Sequence, residues 1–138
     1  GTVIDHIPAD KLFDVINVLG ISRMENAMTF GTNLRSSKLG KKAIIKIWDK
    51  FLEDDEVNKL ALVAPSAKIN IIRDYDVAEK KTVNVPERVE GIVKCMNPKC
   101  ITNHEFVKTK FAVINDSPIV LKCHYCEKLT DQANMEII

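Results

Sequence analysis

Apolar and polar residues alternate along the first half of the chain in a pattern that predicts strands and helices in turn. Residues 2–7 alternate with a period of two, as a half-buried strand does, and Pro8 ends this run. Residues 11–19 instead repeat apolar residues at helical spacing, with Asp10 as the predicted N-cap and Gly20 as the C-terminal stop. The helix face that we expect to be buried comprises Leu12, Phe13, Val15, Ile16 and Leu19.

The pattern continues to residue 77. Strands are predicted at residues 27–34 and 41–47, on either side of a turn rich in Ser, Lys and Gly. Acidic residues 53–56 suit the positive N-terminal end of a second helix, which Pro65 limits. Residues 67–77 then form a final strand or hairpin. The predicted order is βαββαβ with room for one more strand, an α+β fold in which two helices cover one face of an antiparallel sheet.

A junction between two domains is predicted in the charged, aperiodic segment 80–88, so that the domains span residues 1–86 and 87–138. Beyond this junction, short strand-like runs at residues 111–114 and 118–122 alternate with cysteines. We therefore expect a small all-β domain in the C-terminal part.

The four cysteines lie in this part as two close pairs, Cys95 with Cys100 and Cys123 with Cys126. Four residues separate the members of the first pair, two separate those of the second, and twenty-two lie between the pairs. This spacing predicts a structural zinc site with four thiolate ligands, which is closed and leaves no coordination position for a substrate. Two disulfides are the alternative, and His104 or His124 could each replace one thiolate.

Composition and charge limit the classes of function. The chain has 138 residues, 46% of them apolar and 28% charged, as in soluble globular proteins. No apolar run reaches the roughly 18 residues of a membrane span and no leader is evident, so we expect a cytoplasmic protein with reduced cysteines. Residues 87–138 hold seven basic and seven acidic side chains. The lack of a basic excess argues against a zinc ribbon that binds nucleic acid.

Candidate chemistry is sparse. The chain has no glycine-rich phosphate loop, no HExxH and no Gly-x-Ser-x-Gly motif. His6 follows Asp5, and such a pair either binds a polar ligand, acts as a base or simply faces water. Lys42 and Lys46 share one face of a predicted strand, which either holds an anion such as a triphosphate or is solvated. Lys80 joins them if the last strand lies beside this one.

Several segments are more specific than their patterns. In chain order they are GTVIDHIP at residues 1–8, GKKAIIKI at 40–47, LALVAPSAKINIIRDYDV at 60–77 and VPERVEG at 85–91, followed by the cysteine pairs. Essentially end to end, the chain resembles the regulatory chains of aspartate carbamoyltransferase. The resemblance implies a ferredoxin-like nucleotide-binding domain and a rubredoxin-like zinc domain in a non-catalytic chain. It also implies homodimers that bridge catalytic chains in pyrimidine biosynthesis, with CTP, ATP and UTP as effectors.

The resemblance also implies roles for individual residues. The nucleotide pocket would comprise Val3, Asp5, His6, Lys42, Lys46, Asn70, Ile72, Tyr75, Val77 and Lys80. Asn97, Glu127 and Lys128 would face the catalytic chain, whereas Lys99 stands where the family often has Asn. Family members also have a segment before Gly1 that contributes to the pocket and the dimer. The resemblance thus favours the functional interpretations of the Asp–His pair and the lysines, with a stand-alone nucleotide sensor or a small enzyme as the weaker alternative.

Overall fold

A five-stranded antiparallel sheet and two helices form Gly1–Asn84, the first of the two units into which the chain divides. The computed structural model describes residues 1–116 and 118–137. The strands are β1 (Thr2–Pro8), β2 (Met28–Ser36), β3 (Gly40–Ile47), β4 (Lys68–Arg73) and β5 (Asp76–Thr82), and the helices are α1 (Leu12–Val18) and α2 (Asp54–Val63). Their spatial order is β2-β3-β1-β4-β5. The predicted α+β architecture is confirmed, and the final element is a hairpin.

One face of this sheet is buried and the other carries mostly polar side chains. The buried face consists of Ile4, Ile7, Ala43, Ile45, Ile47 and Ile69, each at most 2% exposed. Full burial of one such aliphatic side chain contributes about 1.5–3 kcal/mol, so this face and the buried helix residues form the core of the unit. The intervening residues point the other way. We call their side the outer face; on the strands β1, β3, β4 and β5 it includes Val3, Asp5, Lys42, Ile44, Lys46, Lys68, Asn70, Ile72, Val77, Lys80 and Thr82.

Helix α1 is shorter than the pattern predicts. Ala9–Lys11 form a separate 3-10 turn and no side chain caps α1, so the prediction of Asp10 as its N-cap is wrong. Gly20 ends the segment as predicted, with a φ of 64° that glycine adopts without strain. Phe13 is 71% exposed, which contradicts its predicted burial. Successive helix residues are turned by about 100°, so Phe13 lies off the buried stripe that begins at Leu12.

The acidic start of α2 is a capping box. The backbone N–H of Glu53 donates to the Glu56 carboxylate at 3.0 Å, and the Glu53 side chain accepts from the Glu56 N–H. The Glu56 carboxylate also pairs with Lys50 Nζ at 3.2 Å. These bonds satisfy backbone donors that would otherwise lack partners at the helix start.

The second unit, Val85–Ile138, has no α-helix among its described residues and is built from short strands. These are β6 (Arg88–Glu90), β7 (Val93–Lys94), β8 (Lys110–Asp116), β9 (Ile119–Cys123), β10 (Leu129–Asp131) and β11 (Glu136–Ile137). The order β10-β9-β8-β6 forms one antiparallel sheet, and β11 pairs with β7. Its apolar core is small. In the described part of the chain, no helix has the length and apolar character that crossing a membrane requires.

Neighbouring residues of α1 provide a test of this packing. Leu12 is 3% exposed, so Leu12→Ala should lower the free energy of unfolding of the first unit by about 2–5 kcal/mol. Phe13→Ala is the matched control and should change it by only about 0.5 kcal/mol, because the ring is exposed. Urea unfolding followed by fluorescence of Trp48, the only tryptophan, measures both. Equal losses would show that α1 packs through a different face.

Candidate functional site

The four cysteine sulfurs converge in the second unit. They belong to Cys95, Cys100, Cys123 and Cys126, and all lie within 4.8 Å of one another. Two sulfur–sulfur distances are 3.6 and 3.7 Å, whereas a disulfide bond measures about 2.05 Å, so these are free thiols. Metal–sulfur bonds of about 2.3 Å would give a regular tetrahedron edges of about 3.8 Å. The donor set therefore fits a metal ion held by four thiolates.

Tight loops hold each cysteine pair in place. In the first loop, the N–H of Cys100 donates to the Asn97 carbonyl at 3.0 Å, and the Asn103 side chain donates to the same carbonyl at 2.8 Å. In the second, the N–H of Cys123 donates to the Lys128 carbonyl at 3.0 Å. Because the loops are closed by backbone bonds, the sulfurs are preorganised for a metal.

The electrostatics of the cluster also favour a cation. Burial raises the pKa of the Cys95 thiol to about 12. Burial also raises the pKa of Cys126, but hydrogen bonds from the Lys128 backbone N–H and the Asn97 side chain outweigh it and lower the pKa to about 7. A thiolate at Cys95 therefore needs a positive charge beside it, which a bound metal supplies.

Neither nearby histidine belongs to the metal cluster formed by the described residues. His104 Nε2 lies 2.7 Å from the Pro98 carbonyl oxygen. His124 is exposed, and its ring packs edge-on against Tyr125 with centroids 5.1 Å apart. The alternative in which a histidine replaces a thiolate is therefore wrong.

The three residues predicted to face a catalytic chain all lie in these cysteine loops. Asn97 is half-buried, and its Oδ1 accepts a hydrogen bond from the Lys99 N–H at 3.1 Å. Its side chain therefore also stabilises the first cysteine loop. Glu127 and Lys128 are exposed. Glu127 borders a cleft of about 370 Å³ whose basic lining residues are Arg88, Lys110 and Lys122. The contact of Asn97, Glu127 and Lys128 with a catalytic chain stays a prediction.

In the first unit, four strands contribute one residue each to a single row across the outer face. Val3 pairs with Lys46 on β3 and with Asn70 on β4, and Asn70 pairs with Lys80 on β5. Directly opposed residues of antiparallel strands share a face, with Cβ atoms about 4.5–5.5 Å apart. The sheet thus brings together four predicted pocket residues that are far apart in sequence.

A charged cluster lies two residues further along β1. Lys42 Nζ is 3.0 and 3.3 Å from the two carboxylate oxygens of Asp5. The His6 N–H donates to Asp5 at 2.6 Å, and the ring Nδ1 lies 3.6 Å from the same carboxylate. His6 has a φ of 58°, within a break in the β1–β3 register. Its Nδ1 is buried and has no hydrogen-bond partner in the described part of the chain.

A cleft of about 280 Å³ opens where β1 begins and β3 and β4 end. It is lined by Gly1, Thr2, Val3, Lys46, Ile47, Trp48 and Ile72, of which Val3, Lys46 and Ile72 are predicted pocket residues. Sequence reasoning does not identify Trp48, which is 50% exposed. The signal that could reveal it is a single aromatic residue two positions beyond Lys46 at the end of a strand.

The two remaining predicted pocket residues lie in the β4–β5 hairpin. Val77 opposes Ile72 and is half exposed. Tyr75 lies in the turn, where it follows Asp74 with positive φ at both residues, as two-residue hairpin turns require. This turn directs the Tyr75 ring fully into solvent, and the ring does not line the cleft.

The Asp5–Lys42 pair generates a pH prediction. Burial raises the pKa of the Asp5 carboxyl, but bonds and charges from Lys42 and His6 outweigh it and hold the pKa below 3.8. The pair therefore stabilises the fold above pH 3.8, and this contribution is lost as the pH falls through the lowered pKa. Lys42→Met should raise the Asp5 pKa, measured by carbon NMR of the carboxyl, whereas Lys41→Met should not. An unchanged pKa in Lys42→Met would contradict the pairing.

Comparison with known proteins relates both units to one family. The family model for the aspartate carbamoyltransferase regulatory chain, allosteric domain, matches residues 1–84, and that for its metal binding domain matches residues 87–136. An aspartate carbamoyltransferase regulatory chain of Bacteroides fragilis is 56% identical over 138 residues, which cover 100% of this chain and 90% of the relative. One of Pyrococcus horikoshii is 54% identical over 134 residues, covering 96% of this chain and 88% of the relative.

These matches confirm the predicted resemblance, and they agree with the sheet and the cysteine cluster. The chain belongs to the family of aspartate carbamoyltransferase regulatory chains, with an allosteric domain followed by a metal-binding domain.

Proposed function

We propose that this chain binds CTP, ATP and UTP on the outer face of its first unit and thereby controls the catalytic chains of aspartate carbamoyltransferase in pyrimidine biosynthesis. The chain is the regulatory partner and performs no chemistry. The observation that carries the proposal is the row formed by Lys46, Val3, Asn70 and Lys80, which leads out of the cleft.

The cleft suits a nucleobase. Val3 and Ile72 offer apolar surface, and the half-exposed Trp48 offers an aromatic face on which a base can stack. Beside them, the Asn70 amide both donates and accepts hydrogen bonds, so it can read the polar edge of a base. Discrimination between cytosine and adenine would depend on such edge contacts.

The remainder of the row suits phosphate. Lys80 carries an ammonium group that compensates the charge of a polyphosphate through charge-assisted hydrogen bonds, whereas Lys46, which lines the cleft, would lie near the base and ribose. His6 adds a buried ring nitrogen that has no partner in the described part of the chain. In the proposed complex, a triphosphate links groups that repel one another when it is absent.

Regulation then follows from differential affinity. A nucleotide shifts the equilibrium between low- and high-activity states only by binding one of them more tightly, typically by about 1–3 kcal/mol. CTP and ATP act oppositely from one pocket if each prefers a different state. Two regulatory chains as a homodimer, in a cytoplasmic complex, would connect catalytic chains through this shared equilibrium.

The metal in the second unit is proposed to be zinc, held by the four cysteines. Four thiolates suit its tetrahedral preference and leave no open position, so it supplies folding energy rather than reactivity. The exposed Glu127 and Lys128, together with Asn97, border this rigid region. The loops would therefore form the surface that docks on the catalytic chain.

Two lysines test the nucleotide site. Lys46→Ala and Lys80→Ala should each weaken CTP binding about tenfold, because each removes a charge-assisted hydrogen bond. Quenching of Trp48 fluorescence in the full chain measures the affinity directly, since no other tryptophan is present. The matched control is Lys81→Ala, which lies on the opposite side of β5 from Lys80 and pairs with Glu79 at 3.6 Å. Unchanged CTP affinity in both pocket variants would refute the assignment.

A substitution in the second unit tests the metal. Cys126→Ser should abolish stoichiometric zinc, unfold the second unit and release the catalytic chains from the assembled enzyme. Elemental analysis and size-exclusion chromatography of the co-expressed complex measure these effects. His124→Ala, in the same loop, should keep the metal because His124 is not part of the cluster. An intact complex without metal would show that this unit is not the docking element.

A further inference from the structure

The cleft at the start of β1 is a slot with a glycine at its floor. Gly1 lies between Trp48, which follows β3, and Ile72 on β4, and all three residues line the cleft. A Cβ atom at Gly1 would lie 3.3 Å from the Trp48 Cα, and the Ile72 N–H donates to the Gly1 carbonyl at 2.9 Å. Because adjacent strands are about 4.8 Å apart, the backbones of Trp48 and Ile72 are separated by roughly 9.6 Å. The two side chains therefore form the walls of the slot.

The floor of the slot excludes any side chain. A Cβ atom at Gly1 would lie 2.6 Å from the Ile47 carbonyl oxygen, which is closer than a carbon atom can approach a backbone oxygen. A planar ring in contact with an atom on each of its faces needs roughly 7–8 Å between those atoms. The slot thus has room for one flat ring system between an indole and an aliphatic side chain.

Hydrogen bonds fix the backbone that carries the indole. The Trp48 N–H donates to the Ala27 carbonyl at 2.9 Å. Asn26 Nδ2 donates to the carbonyls of Trp48 and Asp49, at 2.9 and 3.3 Å. Asp49 has a φ of 56°, in the left-handed region that residues other than glycine seldom adopt, and the bonds from Asn26 hold this turn. Asn26 is therefore a positioning residue for the Trp48 wall.

We propose that Trp48 makes the slot selective for the class of base, because it strengthens the binding of purine nucleotides more than that of pyrimidine nucleotides. This proposal rests on the proposed nucleotide function. The two fused rings of a purine cover more of the indole than the single ring of a pyrimidine does, so a purine makes more dispersion contacts. Asn26 contributes indirectly, since it holds the indole where a base can stack on it.

The experiment compares ATP with CTP in matched variants of the full chain. Calorimetry should show that Trp48→Leu weakens ATP about tenfold but CTP no more than about threefold. The control is Phe30→Leu: Phe30 is 49% exposed, close to the 50% of Trp48, but it opposes Ile45 on the buried side of the sheet. It should leave both affinities within about twofold. Thermal unfolding followed by circular dichroism verifies that both variants fold.

Asn26 is tested by a residue of the same shape. Asn26→Asp keeps the size of the side chain, but a carboxylate cannot donate to the two carbonyls. The ratio of ATP to CTP affinity should fall about threefold, and fluorescence anisotropy should show a more mobile Trp48. Asn17→Asp, on the exposed side of α1, adds the same charge and should change neither quantity. An equal loss of ATP and CTP affinity in Asn26→Asp would refute the positioning role.

NMR spectroscopy provides an independent measurement. In the unaltered chain, the ring current of the indole should shift the adenine protons of bound ATP upfield, and Trp48→Leu should abolish this shift. If ATP and CTP weaken equally in Trp48→Leu, or if neither weakens, the selectivity is refuted while nucleotide binding stands. The same change of ratio in Phe30→Leu would also refute it. If neither nucleotide binds the unaltered chain, the proposed function and the selectivity both fail.

Discussion

The register of β1 between β3 and β4 is the constraint on which the first unit depends. Ile4 opposes Ile45 and Ile69 on the buried side, and this pairing places Val3 beside Lys46 and Asn70 on the other side. A slip of one residue would exchange the two faces and bury charged groups. The hydrophobic core therefore fixes the register, and the register brings the predicted pocket residues Val3, Lys46 and Asn70 side by side.

The second unit follows a different physical logic. Its strands are short and its buried apolar residues few, so packing alone supplies little stability to a segment of this size. In the proposed complex with a metal ion, binding by four sulfurs from two loops would supply the stability that a larger core gives elsewhere, and backbone bonds within the loops orient these sulfurs. The exposed Glu127 and Lys128 lie in the second of these hydrogen-bonded loops. In the proposed complex, exposed side chains on such a loop are what a docking element needs.

Residue patterns predicted the alternation of elements, the sheet and the metal cluster, because periodicity and cysteine spacing are local properties. The patterns failed where a single turn or a neighbouring element determines whether a side chain is buried or exposed. Phe13 fits the apolar pattern of α1 but lies outside its buried stripe. The backbone of the β4–β5 turn places the Tyr75 ring in solvent. Trp48 offers only a weak local signal, a single aromatic residue just beyond a strand, and the arrangement of the strands is needed to show that it borders the cleft.

The residues of the outer face differ in how freely they can be exchanged. On β1, the predicted pocket residues Val3 and Asp5 alternate with fully buried ones such as Ile4, so a change of backbone there disturbs the core as well. On β5 all seven residues are exposed. Substitutions at Lys80 therefore carry little penalty in folding. In the proposed nucleotide site, a new effector preference should arise first on β5, where it can evolve without rebuilding the sheet.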